Sequence, residues 1–479
     1  MSKRGVFGHA VVFGLAPLLQ RVAGFVLLPL YTHYLTPADF GEIELLTLAA
    51  GLVAMVLRME LRPAYLRAWL EGDAAIRAGL WLRLGGVMRV VALLGGAGAF
   101  AVSGPACAWL VGHPVGLGVR VALAVGIAAE VALMLPQATL QAQLRSRVMV
   151  AVGIAQFLAG AGLTVVAVVG FGAGPLGVFL GGAAGLVVGL AGCRAAVRMP
   201  DVAAARVELA PLVRFGLPVL GGGLLFFVVR NADRAIVAGV LSVAELGAYA
   251  VAWSMANVLM TLLFLPLQSS LDVWRHRMFQ QPGGAAGFAE VYRLAMLGMG
   301  LAAVGLDTVG VDALRLVVDA RFGAAMALVP VLSAAVLLQV GYSIVASAFF
   351  VAGATGRWMA IFAVGAGVQV GVSLLAVPWL GLWGAPLGAI AANGWLYAAA
   401  AVWGRRCWGV PYRHGVMGMV LTVVAGVGLA HAAMDGKPPA VMLAVDAALG
   451  LGALAAFGAA GLVHPADWTA VRGLARRKG

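Results

Sequence analysis

The chain has 479 residues, 63% of them hydrophobic and only 11% charged, with a net charge of +13 and a mean hydropathy of +1.00. Water-soluble domains carry about 25% charge, so this composition excludes a soluble globular protein and makes the bilayer the natural solvent. The basic excess then reads as an orientation signal rather than a nucleic-acid surface, and no nucleic-acid partner is expected.

In chain order, apolar stretches of spanning length fall at 7–34, 42–66, 84–111, 117–143, 148–170, 174–197, 213–240, 246–271, 291–313, 324–352, 358–380, 383–404, 415–433 and 440–463. The first runs past signal-peptide length without a small-residue cleavage pattern and reads as a span. The ninth contains Asp307 and Asp312, and an early end near Gly305 is expected. The fold class that follows is all-α: a polytopic membrane protein of about fourteen transmembrane helices.

An even number of spans puts both termini on one side. The loops on that side hold most of the Lys and Arg, while the opposite loops hold Arg120, Arg315, Arg321 and Lys437. Positive charge stays inside, so both termini are expected in the cytoplasm. Lys occurs only at Lys3, Lys437 and Lys478, the usage of a GC-rich bacterial genome. The expected location is therefore the bacterial inner membrane. Cys107, Cys193 and Cys407 are too dispersed for a disulfide framework or a metal site.

The sequence repeats itself. Leu35-Thr-Pro-Ala-Asp-Phe-Gly41 aligns with Leu241-Ser-Val-Ala-Glu-Leu-Gly247, an offset of 206 residues (241 less 35). Six spans fit in that offset, so two halves of equal orientation are expected, as in transporters that work by alternating access. The domains are then a first six-helix lobe over 1–200, a cytoplasmic linker over 201–212, and a second, parallel six-helix lobe over 213–410. Two extra C-terminal helices with a cytoplasmic tail fill 411–479.

These segments resemble a known family. Pro29-Leu-Tyr-Thr-His-Tyr-Leu-Thr-Pro-Ala-Asp-Phe-Gly41, Arg214-Phe-Gly-Leu-Pro218 and Asn231-Ala-Asp-Arg234 are similar to segments of the polysaccharide or O-antigen flippases. Those proteins are relatives of the lipid II flippases and the multidrug-extruding antiporters. The resemblance covers roughly the first 280 residues. Arg58-Met-Glu-Leu-Arg-Pro-Ala-Tyr-Leu-Arg67 is more charged than the family pattern. The resemblance implies movement of undecaprenyl-pyrophosphate-linked oligosaccharide from the inner to the outer leaflet. Its implied partners are that lipid-linked oligosaccharide, the phospholipid bilayer and other polysaccharide-assembly membrane proteins.

Charges inside a bilayer cost about 2.5–3.5 kcal/mol each and usually face a cavity or a partner. Arg21 lies at mid-depth of the first span. Arg58 and Arg62 are four apart, as are Arg230 and Arg234, so each pair is expected to share a helix face. Together they are the candidate cationic site, since Arg is suited to bidentate contact with a pyrophosphate. The competing readings are that Arg62 snorkels to the inner surface and that an acid such as Asp233 holds Arg234 structurally. Asp233 and Glu130 are candidate counter-ions or coupling groups, and Asp446 and Glu44 are weaker candidates for the same role. Glu44 and Asp446 are placed too far away to neutralise the cluster.

Gly177, Gly181, Gly185 and Gly189 read as a helix-packing ridge. Gly172-Ala-Gly-Pro-Leu-Gly177 has dinucleotide-type spacing but follows no strand. The seven His are dispersed, so no catalytic and no metal residues are assigned and no cofactor is expected, with coupling to H⁺ or Na⁺ left open. Two other classes compete: a cation-coupled multidrug exporter, which an Arg-rich lumen disfavours on charge, and a membrane glycosyltransferase or glycan polymerase. The latter would need an active-site loop, for which Gly305–Gly323 offers little room.

Overall fold

The structure is a computed structural model that describes residues 30–199, 201–434 and 439–459. All regular elements among these residues are helical. Eleven runs are long and apolar enough to cross a membrane. One of them, Gly356–Gly404, has 49 residues, which as a straight rod would be about 74 Å long against a hydrocarbon core of about 30 Å. It is two helices folded on each other: Thr355–Leu380 and Gly384–Gly404, joined by a 3₁₀ turn at Gly381–Trp383. With that run divided and the apolar helix Pro439–Ala459 added, the described residues hold thirteen spanning helices. The first expected span, 7–34, lies almost wholly outside them.

By contacts the chain forms two compact units, Met1–Ala250 and Val251–Gly479. The first unit begins with a helical end at 30–34 and then α1, Pro37–Arg58. Thr36 caps α1 reciprocally: the Asp39 N–H donates to Thr36 Oγ1 at 3.2 Å and the Thr36 N–H donates to Asp39 Oδ2 at 2.8 Å. The repeat copy builds the corresponding half of this cap, with the Glu245 N–H donating to Ser242 Oγ at 3.1 Å. A short helix α2, Arg62–Glu71, follows, then α3, Ala74–Val111. Next come α4, Leu117–Ala142, α5, Ser146–Val165, and α6, Gly174–Ala196. The glycine ridge of α6 is where α5 approaches: a Cβ on Gly181 would fall 1.9 Å from Thr164 Oγ1, and one on Gly185 2.9 Å from the Gln156 carbonyl oxygen. Small residues thus supply close packing where no hydrophobic force acts between helices.

The expected linker is non-helical up to Leu209. It is held to the start of α3, where the Ala205 N–H donates to the Ala75 carbonyl at 3.0 Å and Arg83 Nη1 donates to the Val207 carbonyl at 2.7 Å. Helix α7, Ala210–Val240, then packs on α1 and α2, and α8, Val243–Val258, carries the chain into the second unit.

In the second unit α8 runs through a π-turn, Leu259–Phe264, into α9, Leu265–Phe279. The ninth span does not end at Gly305. Helix α10, Gly284–Gly305, continues through a π-turn at Leu306–Gly310 into α11, Val311–Val317. Asp307 is fully buried there, and its Oδ1 accepts a 2.7 Å hydrogen bond from Ser333 Oγ, which offsets part of the cost of burying a carboxyl group. A short helix α12, Gly323–Met326, leads to α13, Val329–Val345, and α14, Ser347–Val351. The hairpin of α15, Thr355–Leu380, and α16, Gly384–Gly404, precedes α17, Gly415–Ala433, and α18, Pro439–Ala459.

Candidate functional site

The charged stretch that departs from the family pattern is a break in the helix. α1 ends at Arg58, and Met59 and Glu60 both take left-handed backbone conformations, φ 49° and 46°. Two non-glycine residues held there cost about 1–3 kcal/mol each and persist only where the surroundings enforce them. Pro63 is one cause: in a continued helix its ring would clash with the Met59 carbonyl four residues back. The other is α7, which lies against the break. A Cβ on Gly216 would sit 2.6 Å from the Met59 carbonyl oxygen, and one on Gly223 3.8 Å from Glu60 Cγ.

This break overturns one expectation. Arg58 and Arg62 do not share a face of one helix, because the helix stops between them. Both reach α4 instead. Arg58 Nη1 lies 2.8 Å from Glu130 Oε1, and Arg62 Nη2 donates to Gln141 Oε1 at 2.7 Å. Arg58 therefore has a full counter-charge, whereas Arg62 meets a neutral amide.

At the other end of α1, Glu44 Oε1 lies 2.6 Å from Arg234 Nη1, which also donates to Asn231 Oδ1 at 3.3 Å. Glu44, a possible counter-ion whose position near the outer surface argued against pairing with the cluster, is the ion-pair partner of Arg234. Asp233 accepts a 2.6 Å bond from the Tyr249 hydroxyl in a fully buried setting. Arg230 lies over the Phe226 ring, 5.7 Å from its centroid. Arg21 falls outside the described residues.

The two ion pairs are anchored at Glu44 and Arg58, fourteen residues apart on α1, or about 21 Å at 1.5 Å per residue. The expected arginines thus form two separate groupings along one helix. The grouping at the break combines Arg58, Glu60, Arg62, Glu130 and Gln141 beside α7. A discontinuous helix is a recurrent way to place charged and polar groups at a transporter's substrate site. A pocket lined by Trp81, Met88, Arg89, Leu135, Pro136 and Arg194 includes none of these residues.

Two features escaped the sequence reading. Pro63 inside the expected span 42–66 was the available signal for the break. The His residues are not all isolated: Asp312, His431 and Asp446, distant in sequence, bring ligand atoms within 4.8 Å of one another in the second unit.

A sequence profile of a family described as polysaccharide biosynthesis protein matches residues 32–271, half of the 479-residue chain. The chain belongs to this family. The match covers the broken helix, both repeat copies and every candidate arginine except Arg21. A comparison with curated proteins finds no match in sequence.

Among solved structures, this polysaccharide biosynthesis protein is similar in fold to a lipid II flippase, MurJ, in an inward closed conformation. The TM-score is 0.70 at 8% identity, with 93% of this chain and 98% of that one covered. It is also similar to a multidrug resistance MATE family transporter of the MOP superfamily. For the inward-facing form the TM-score is 0.61 at 15% identity, covering 83% of this chain and 94% of the other. For the outward-facing form it is 0.56 at 14% identity, covering 83% and 95%. The protein is a multi-pass membrane protein with the fold of that superfamily.

Proposed function

We propose that the protein is a flippase that translocates undecaprenyl-pyrophosphate-linked oligosaccharide repeat units across the bacterial inner membrane by alternating access, for polysaccharide assembly. Both termini lie in the cytoplasm in this reading, and spans one to six and seven to twelve act as the two lobes. The observation that carries the reading is the family match over the broken α1–α2 segment and its arginines. A pyrophosphate on a lipid needs fixed cationic donors beside a lipid-accessible path. Arg62, hydrogen-bonded to Gln141, and Arg58, paired with Glu130, would present such donors at one break.

Exchange of partners would do the work. An arriving pyrophosphate competes with Glu130 for Arg58 and with Gln141 for Arg62. Release on the other side returns both arginines to α4. Arg21, Arg230, Arg234 and Asp233 are proposed to extend the cationic path along α1 and α7. The reading requires no cofactor. The α10–α11 run is helical through Val317, which reduces further the room for an enzyme's outer-loop domain and disfavours the polymerase alternative.

The test is deletion of the gene followed by mass spectrometry of membrane lipids. A lipid-pyrophosphate carrying a complete oligosaccharide should accumulate. Accumulation of incomplete or unpolymerised glycan outside the cell would instead indicate a transferase or polymerase.

A further inference from the structure

Three titratable residues far apart in the chain meet in the second compact unit. His431, on α17, is 3% exposed, and its Nδ1 lies 2.8 Å from Oδ1 of Asp446 on α18. On the other edge of the ring, Nε2 lies 3.2 Å from Oδ1 of Asp312 on α11, an ion contact without hydrogen-bond geometry, so that this buried nitrogen is left without a hydrogen-bond partner among the described residues. Asp446 is 5% exposed as a residue, while the Asp312 side chain is 27% exposed. A buried imidazole therefore bridges an enclosed carboxylate and one that reaches the surface of its unit.

The surrounding charges are few. Arg315, on the same helix as Asp312, has Nη1 3.8 Å from Asp312 Oδ1. Asp307, one turn before α11, is occupied by Ser333 of α13, and α13 itself carries no charged residue. The histidine and two carboxylates have ligand atoms close enough for a cation. Two facts favour a proton over a metal ion. Each ring nitrogen faces a different carboxylate, so the two carboxylates approach opposite edges of the ring rather than one and the same edge. Arg315 already stands beside Asp312 and opposes a second positive charge there.

We propose that Asp312, His431 and Asp446 form a proton-binding relay through which the protein takes up protons to drive its transport cycle. The part about the transport cycle rests on the flippase reading; the proton site does not. A proton arriving at the Asp312 carboxylate passes to Nε2 of the neutral ring, giving an imidazolium between two carboxylates. Transfer of the Nδ1 proton to Asp446 leaves a neutral ring and a neutral buried carboxyl. Nothing is oxidised or reduced; the transfer to Asp446 follows an existing hydrogen bond, and the transfer from Asp312 needs a small turn of that carboxyl toward Nε2. Histidine suits this role because its two nitrogens can accept and donate on opposite edges. The relay joins α11, α17 and α18, so its charge state acts on how the last two helices pack against the α10–α11 run.

The test is acid-minus-alkaline infrared difference spectroscopy on the purified full-length protein, which needs no substrate. The expected result is an imidazolium band and a protonated-carboxyl band that grow in over one pH range, as one bound proton is shared between the His431 and Asp446 sites. His431→Gln should remove the first and displace or remove the second. Asp446→Asn should remove the carboxyl band and perturb the imidazolium. Should a variant not fold, wild-type protein labelled with ¹⁵N-histidine and ¹³C-carboxyl aspartate gives the same answer, since the two labelled bands must respond over one pH range. Bands that titrate in separate ranges, or a carboxyl band unchanged by His431→Gln, overturn the relay. So does thermal stabilisation by added zinc that is lost in His431→Gln, with no proton-dependent bands. A protein that shows the coupled bands but whose deletion accumulates no lipid-linked glycan keeps the relay and loses the flippase reading.

Discussion

Gly41 and Gly247 each lie against the carbonyl group that opens the other's helix. A Cβ on Gly41 would fall 1.7 Å from the Val243 carbonyl oxygen, and a Cβ on Gly247 would fall 1.8 Å from the Pro37 carbonyl oxygen. Val243 stands 206 residues after Pro37, as Gly247 does after Gly41. Reciprocal contact of this kind is what a two-fold relation between two repeat copies generates. The obstacle in each case is backbone, which cannot rotate away.

Gly41→Ala and Gly247→Ala should therefore force α1 and α8 apart. Each is expected to lose about 1–3 kcal/mol and most glycan export, while Gly51→Ala, where an added methyl meets nothing within 4 Å, should behave as wild type. Thermal unfolding in detergent, measured beside export in cells, decides. Equal behaviour of Gly41→Ala and Gly51→Ala would remove the reciprocal contact from the account.

The Arg58–Glu130 pair separates a structural role from an anion-binding one. Removing either partner leaves a charge in a poorly solvated place, at a cost of about 1–3 kcal/mol after allowing for partial exposure. A double variant, Arg58→Ala with Glu130→Ala, should recover most of that stability yet still fail to export. Full recovery of export in the double variant would mean that Arg58 serves only to balance Glu130.

Arg62 should be the more sensitive probe, since it meets a neutral amide. Arg62→Ala is expected to reduce export strongly while leaving the protein in the membrane, and Arg62→Lys should restore it partly, because charge survives but the planar fork does not. Gln141→Ala should have a much smaller effect. Export assays at matched protein levels test this, and normal export by Arg62→Ala would support simple snorkelling.

A pH effect on stability is expected at His414, in the loop before α17. Burial, and secondarily the nearby Arg405, holds its pKa below the ordinary value of 6.5. Its Nδ1 lies 2.8 Å from the Tyr397 hydroxyl, which in turn lies 2.7 Å from that of Tyr292. The unfolded chain takes the proton first as pH falls, so stability is full above about 6.5 and declines below it. His414→Gln should flatten the dependence of melting temperature on pH in that window, and an unchanged slope would count against it.

Much of the fold was legible because the bilayer imposes a length and a polarity on each span. The hairpin at Gly381 and the ridge of α6 lie where apolar runs and glycine spacing put them. The repeat was visible in Leu35–Gly41 and Leu241–Gly247, each of which opens its helix with a hydroxyl accepting from the N–H three residues on. The site was less legible. Helix periodicity alone carried Arg58 and Arg62 onto one face, although Pro63 already marked the break. Glu44 pairs with Arg234, 190 residues away, and no local pattern reports a contact of that range. His431 meets Asp312 for the same reason, by tertiary packing rather than spacing. Asp307 looked like a helix end, because a single buried hydrogen bond to Ser333 cannot be read from either segment.

The orientation expected from the Lys and Arg distribution can be checked with fusions to alkaline phosphatase, which is active only outside the cytoplasm. Fusions after Thr36 and Met434 should be active, and those after Asp73 and Pro200 inactive. The opposite pattern would reverse the direction of transport along with the topology.

The central claim is movement of a pyrophosphate-linked oligosaccharide from one leaflet to the other. Purified protein in liposomes, loaded with a fluorescent polyprenyl-pyrophosphate oligosaccharide, tests it when a membrane-impermeant lectin or quencher reports the exposed leaflet. The account predicts protein-dependent exchange between leaflets that Arg62→Ala strongly reduces and the Arg58→Ala, Glu130→Ala double variant abolishes. Exchange no faster than in empty liposomes, under an imposed proton or sodium gradient as well as without one, would contradict it.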